Sequence, residues 1–364
     1  MTLAPTMTVG DFGAVGDGNT DDSAAFSKAL AWSAQNGSCV LVPGHTYAIR
    51  NPIVWVSQQH NNSLWGLLGQ GATLRSFITN GADVMSLTSW HVISGFRLTN
   101  ITFACNGAEG NGLHISALSP TVYFANFLVD SVVVQNAGKN GILYEGDVFE
   151  FTMSNCNLFD CHQNGCTLAQ SHNGIISTVN FMNCFFNQNG AIGMACVNFD
   201  GQYGGPTDVR VYGGYARNNK GFGFFYNNGT GAASLHNVGF ENNCMGLQPG
   251  DPNGAHILAG VGVKLRDCTG YNQGGGATYL LKGWYMTSAY LDGCGQAADG
   301  AMAATGKSRL MSIDGQNTAH VYMVECGGGF DGKPGTGVTW EAKNCSGPSP
   351  AGNLNPNGMM SGTF

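Results

Sequence analysis

Asn-Gly recurs through the middle of this chain, at Asn111-Gly112, Asn140-Gly141, Asn164-Gly165 and Asn189-Gly190. The spacings are 29, 24 and 25 residues, and each pair lies between short apolar runs. A period of this length marks stacked units, each too small to bury its own apolar face and each covering its neighbour's. The pattern continues less cleanly at Lys220-Gly221 and Met245-Gly246, then near Gly275. The fixed leucine ladder of a leucine-rich repeat is absent, so an all-β coil of three short strands fits better. Three places before the glycine stand Gly138, His162, Asn187, Asn218 and Asn243, a mostly Asn column expected to hydrogen-bond from coil to coil. Apolar runs at 53–56, 64–68, 74–78, 84–87 and 92–98 read as the first, narrower coils.

Ahead of the coils lies Val9-Gly10-Asp11-Phe12-Gly13-Ala14-Val15-Gly16-Asp17-Gly18-Asn19-Thr20-Asp21-Asp22. Ala25, Phe26, Ala29, Leu30 and Trp32 then recur at helical spacing. Thr20 or Asp21 is placed to cap that helix, Asp22 falls in its first turn, and Gly37 can end it in a left-handed conformation. Cys39-Val-Leu-Val-Pro43-Gly44 reads as a strand closed by a turn. The four aspartates are expected to serve loop and cap hydrogen bonds rather than a metal ion.

This loop, helix and VLVPxG-like strand resemble the N-terminal signature of the pectate-lyase-like superfamily, in the form found in phage tailspikes and polysaccharide-degrading enzymes. The DGC-G step at Asp292-Gly293-Cys294-Gly295, within 289–329, is similar to coils of phage tail proteins of that superfamily. The resemblance implies a single-stranded right-handed parallel β-helix with an N-terminal capping α-helix. It divides the chain into a loop, helix and first strand at 1–44, the β-helix at 45–330, and an irregular tail at 331–364. It also implies a homotrimer on a virion tail or outside the cell, acting on a bacterial surface polysaccharide, with phage baseplate or tail proteins as further partners.

Composition narrows the partners. Gly is 56 of 364 residues, about twice the ordinary share, with no G-X-Y period to suggest collagen. Only 10% of residues are charged, the net charge is -7, and there are 15 Lys+Arg in no basic cluster. Nothing there neutralises phosphates, so nucleic acid is not an expected partner. A neutral glycan is easier to accommodate than an acidic one. No stretch reaches the length of a membrane span, and no signal peptide is visible. The 12 Cys are dispersed, several in Asn-Cys pairs, which reads as small apolar side chains packed inside coils rather than a disulfide framework.

Hydrolysis of a glycosidic bond wants two carboxyl groups facing the substrate. Glu145 and Asp147, read as i and i+2 of one strand, would share a face roughly 7 Å apart. Asp160 is the third candidate, and His162 and His172 lie in adjacent parts of the coils. Tyr203, Tyr226 and Trp284 are candidate platforms for sugar rings, and Arg217 and Lys220 could meet an anionic sugar. The expectation is thus a polysaccharide depolymerase working by glycoside hydrolysis, without metal or cofactor. The alternatives are a lyase, for which Ca²⁺ would become a cofactor, and a glycan-binding tail or adhesin module without catalysis. The polygalacturonase and pectate lyase motif sets are absent, so no residue is carried over from either.

Overall fold

In a computed structural model the chain is a right-handed parallel β-solenoid with an N-terminal helix as its cap, the architecture expected. The structure describes residues 7–57, 59, 63–117, 119, 122–170, 176–198, 206–226, 232–260, 262–283, 288–299, 307–313, 320–332, 338–349, 352–353 and 358–363. It forms two compact units, Met1–Phe185 and Phe186–Phe364.

In the first unit the capping helix spans Ser23–Asn36 and buries Ala25, Phe26, Ala29, Leu30 and Ser33. Gly37 ends it at φ 59, as its lack of a Cβ allows. The aspartates divide the loop between them. Asp21 Oδ1 accepts the Ser23 N–H at 3.1 Å, and Asp17 Oδ1 accepts the Thr20 N–H at 2.7 Å. Asp11 Oδ2 accepts the Thr8 N–H at 2.7 Å. Asp22 is the N-cap rather than a first-turn residue, and its buried carboxylate turns back to accept the N–H groups of Val15 at 2.7 Å and Gly16 at 3.2 Å.

Cys39–Val42 and Thr46–Ile49 both pair in parallel with Trp65–Ser76. The sequence runs 64–68 and 74–78 thus belong to one long strand, which bends where Gly71 takes φ 82. The 92–98 run does the reverse, splitting at Gly95 into Ile93–Ser94 and Phe96–Ala104. A typical coil then runs Ile142–Glu145, Val148–Ser154 and Asn157–Phe159. Its inward residues Ile142, Tyr144, Val148, Phe151, Met153 and Leu158 are fully buried. Like residues stack between coils, Phe127 on Phe151 at 4.7 Å and 9°. Each such side chain contributes about 1.5–3 kcal/mol on burial.

The second unit repeats the plan with parallel strands such as Ala255–Ala259, Tyr279–Gly283 and Arg309–Ile313. Its internal amide ladder is Asn189, Asn219 and Asn243, linked side chain to side chain at 2.9 and 2.8 Å. The expected column held Asn218 instead. Asn218 makes a left-handed corner at φ 55, and it is the next residue, Asn219, that is buried in the ladder. The 331–364 stretch is not an irregular tail over its described residues. Thr339–Lys343 pairs in parallel with His320–Val324 because Trp340 and Ala342 alternate inward, and Met359–Thr363 returns antiparallel. All 12 Cys are free thiols and all but Cys39 are buried. Several donate weakly to carbonyls at coil corners, as Cys326 Sγ does to Val324 O at 3.1 Å.

Candidate active site

One parallel sheet of the first unit is built from Ile53–Val56, Met85–Ser89, Leu113–Ala117, Ile142–Glu145 and Cys166–Gln170. Period-2 alternation sends Met85, Leu87, Leu113, Ile115, Ile142 and Tyr144 inward. Register then aligns Val54, Ser86, His114, Leu143 and Thr167 in one row of the opposite face. The next row on that face is Val56, Thr88, Ser116, Glu145 and Ala169.

His114 is the centre of a three-residue cluster on that face. Its Nδ1 lies 2.9 Å from Asp83 Oδ2 and its Nε2 lies 3.1 Å from Glu145 Oε2. To donate to both carboxylates the ring must carry both protons, so the cluster is carboxylate, imidazolium, carboxylate. Burial opposes the cation, but the hydrogen bonds to Asp83 and Glu145 outweigh it and raise the His114 pKa to about 9. Burial likewise opposes ionisation of Asp83, yet the bonds from His114 and Asn111 hold its pKa below the ordinary carboxylate value. About a fifth of each side chain is exposed, so the cluster is open to a ligand.

Asp83 is held by the interior of the coils. Asn111 donates to Asp83 Oδ1 from its backbone N–H at 2.7 Å and its side chain at 2.8 Å. Asn140 donates its side-chain amide to Asn111 Oδ1 at 2.9 Å, and the Thr167 hydroxyl donates to Asn140 Oδ1 at 2.9 Å. The Asn of two Asn-Gly repeats thus forms a buried ladder that terminates on the Asp83 carboxylate. Such a chain of satisfied bonds fixes the position of its last acceptor.

The candidates named from sequence are distributed unevenly. Glu145 is in the cluster. Asp147 is not on its strand, which ends at Glu145, and Gly146 turns the chain at φ 85. The Asp147 side chain is buried, so the two do not share an open face as expected. Asp160 sits at a left-handed corner, φ 56, after Asn157–Phe159, and His162 is exposed beyond it. Both follow a strand of a different sheet from that of Glu145. Arg217 and Lys220 are exposed in the second unit. Tyr226 is fully buried with its hydroxyl donating to Pro206 O at 2.7 Å, so it is a core residue and not a sugar platform. His172, Tyr203 and Trp284 lie outside the described residues. Among the described residues no group of His, Cys, Asp and Glu converges as metal ligands would.

His114 and Asp83 escaped the sequence reading. The signal was spacing: Asp83, His114 and Glu145 are each 31 residues apart, one coil to the next. Further along the same face, a depression of about 500 Å³ lies between the capping helix and Ile53–Val56, lined by Ala31, Ala34, Gln35, Val54 and Val56.

Comparison with known proteins identifies the family and the fold. The family described as rhamnogalacturonase A/epimerase, pectate lyase-like, matches residues 6–198, a stretch that contains Asp83, His114 and Glu145. No curated protein matches the chain by sequence. Among solved structures, the mannuronan C-5 epimerase AlgE6 A-module of Azotobacter vinelandii superposes with a TM-score of 0.55 at 14% identity, over 86% of this chain and 93% of that one. ORF18 of Geobacillus virus E2 gives 0.53 at 16% identity over 95% of this chain, which spans only 62% of the ORF18 chain. An alginate lyase from Paenibacillus sp. str. FPU-7 gives 0.51 at 12% identity, over 77% and 96%. Identities this low establish the shared fold.

Proposed function

This chain belongs to the rhamnogalacturonase A/epimerase, pectate-lyase-like family, and from that premise we propose that it hydrolyses a glycosidic bond of a polysaccharide at Asp83, His114 and Glu145. The fold is shared by hydrolases and lyases that act on polysaccharides, and the observation that carries hydrolysis is the disposition of the two carboxylates. They accept from opposite nitrogens of one imidazolium, at 2.9 and 3.1 Å. Two hydrogen bonds and a ring put their bonded oxygens ~8 Å apart, a spacing in the ~6.5–9.5 Å range of inverting pairs; the ring fills the line between them, so sugar and attacking water lie over the exposed side of the cluster.

Their environments divide the work. Asp83, kept ionised by His114 and Asn111, takes a proton from the attacking water. Glu145, ionised at rest, takes the proton of His114 Nε2 and, as the carboxylic acid so formed, gives a proton to the departing glycosidic oxygen, which leaves His114 neutral. The imidazolium is therefore the local proton store, and Asp83 stabilises its charge. Elimination from a uronate would instead need a cation free to neutralise the sugar carboxylate. Both nitrogens of His114 are already committed to protein carboxylates, which favours a neutral sugar at the point of cleavage. The depression beside the capping helix gives neighbouring sugar units room on the same face.

The proposal extends to a phage-tail depolymerase acting on a bacterial surface polysaccharide as a homotrimer, with baseplate or tail proteins as partners. The tailspike-like signature in 9–44 supports this, as does the fold shared with a protein of Geobacillus virus E2. Among the described residues no helix is long and apolar enough to cross a membrane. A panel of neutral and uronate-containing capsular polysaccharides tests the chemistry. Hydrolysis releases new reducing ends, of inverted anomeric configuration by proton NMR, without unsaturated sugars. Ultraviolet absorbance from an unsaturated product would replace this reading with a lyase, and retained configuration would remove the Asp83–Glu145 pairing.

A further inference from the structure

A second cleft of the first unit lies on a different sheet, at the corner that follows Ile93–Ser94 and Phe124–Ala125 and interrupts Val148–Ser154. It is a half-open cleft of about 450 Å³ lined by Ser94, Tyr123, Asn126, Phe149, Glu150 and Thr178, a volume within the range of small-ligand sites. Tyr123 and Phe149 meet edge to face at 5.5 Å and 82°, and Tyr123 is 36% exposed. Among the described residues the Tyr123 hydroxyl, the Asn126 amide, the Glu150 carboxylate and the Thr178 hydroxyl have no protein partner, although all four side chains line one cleft.

The backbone there is unusual. Gly95, Asn126, Glu150 and Thr178 occupy the same corner in successive coils, all with positive φ, at 78, 50, 48 and 54°. Gly and Asn tolerate that conformation, whereas Glu does so poorly and β-branched Thr very poorly. Strain of this kind is retained where side-chain identity matters more than local stability. Arg97 pins the corner, its Nη1 donating to Phe96 O at 2.9 Å and Asn126 O at 2.8 Å.

The geometry points to a second, non-catalytic carbohydrate site here, one that stacks the apolar face of a neutral pyranose on Tyr123 and Phe149. Glu150 accepts from a pair of adjacent sugar hydroxyls, and Asn126 and Thr178 complete the polar rim. Aromatic edges and faces suit sugar C–H groups. The Glu150 carboxylate accepts hydroxyls and repels a uronate, and the one cation at this corner among the described residues, Arg97, is engaged by Phe96 O and Asn126 O and does not line the cleft, so the ligand class is neutral hexose or N-acetylhexosamine. Such a site would hold the polymer on the protein independently of Asp83, His114 and Glu145.

Saturation-transfer-difference NMR on the full chain tests this with the methyl glycosides of glucose, galactose, mannose, N-acetylglucosamine and glucuronic acid as probes. The expected result is binding of at least one neutral glycoside and not of the glucuronide. That binding should persist in His114→Gln, vanish in Tyr123→Ala, and weaken at least about tenfold in Glu150→Gln. Because Glu150 is exposed, its variant reads the site even if Tyr123→Ala folds poorly. Absence of binding by every neutral probe overturns the proposal. So does binding that Glu150→Gln leaves intact, or binding lost only in His114→Gln, which would place the sugar at the cluster already described.

Discussion

Raising the pH deprotonates His114 and removes the charge that ties Asp83 to Glu145. The folded pKa of about 9 lies above the ordinary value of 6.5. The stabilisation is therefore fully present below about pH 6.5 and is lost as pH rises through about 9. At 1.36 kcal/mol per unit the shift corresponds to about 3 kcal/mol, and partial exposure of the three side chains reduces this to about 2–3 kcal/mol. Other groups titrate in the same window, so the quantity to follow is a difference between two proteins. Urea unfolding of the wild type and of His114→Gln, at half-unit steps from about pH 6 to about pH 10, gives that difference. The stability advantage of the wild type should shrink by about 2–3 kcal/mol across the series. The His114 ring proton, assigned by its loss in the variant, should titrate near 9 by NMR. A ring that titrates at or below 6.5, or an advantage that stays constant or grows with pH, would refute the carboxylate–imidazolium–carboxylate arrangement.

Glu150→Asn replaces a strained left-handed residue by one that tolerates φ 48. It should raise stability by about 0.5–1 kcal/mol in thermal unfolding while abolishing glycoside binding at the second cleft. Asn219→Ala strips the ladder of the acceptor used by Asn189 and of the donors to Phe186 O and Asn243 Oδ1. With those groups buried, a loss of about 2–4 kcal/mol is expected in urea unfolding. Reductant should leave the melting temperature unchanged, because the 12 Cys are free thiols. Thiol labelling of the native chain should be slow until it unfolds, with Cys39 the first to react.

Local signals in the sequence were the ones that translated into structure. Asp22, Gly37 and the apolar spacing of Ala25, Phe26, Ala29 and Leu30 are read within a few residues, and the helix forms at Ser23–Asn36. The Asn-Gly period announces a solenoid because every coil repeats the same turn. Register was harder. Asn219 and not Asn218 enters the ladder, since a left-handed corner moves the inward position by one. Parity also decides the aromatic residues: Phe224 and Tyr226 are buried and stacked on one another, and composition alone cannot assign a ring to a face.

The Asp83–His114–Glu145 cluster was the least legible part. Its three members come from three coils, and none sits in a local motif. Glu145 stands out in the sequence through its proximity to Asp147, but Gly146 turns the chain between them. Its hydrogen-bond partner is 31 residues upstream, where the parallel register brings His114 within reach. Asp83 is one further coil away and owes its place to the Asn111–Asn140 ladder, a connection that becomes visible only once inward and outward positions are known.

The central claim is that Glu145, given a proton by His114, protonates the departing sugar. It is tested most directly by reducing-end release from a cleaved polysaccharide, comparing wild type with Glu145→Gln at matched folding by circular dichroism. A fall in kcat of about 10²-fold or more is expected, the scale of a lost general acid. A Glu145→Gln protein that cuts at the wild-type rate would contradict it.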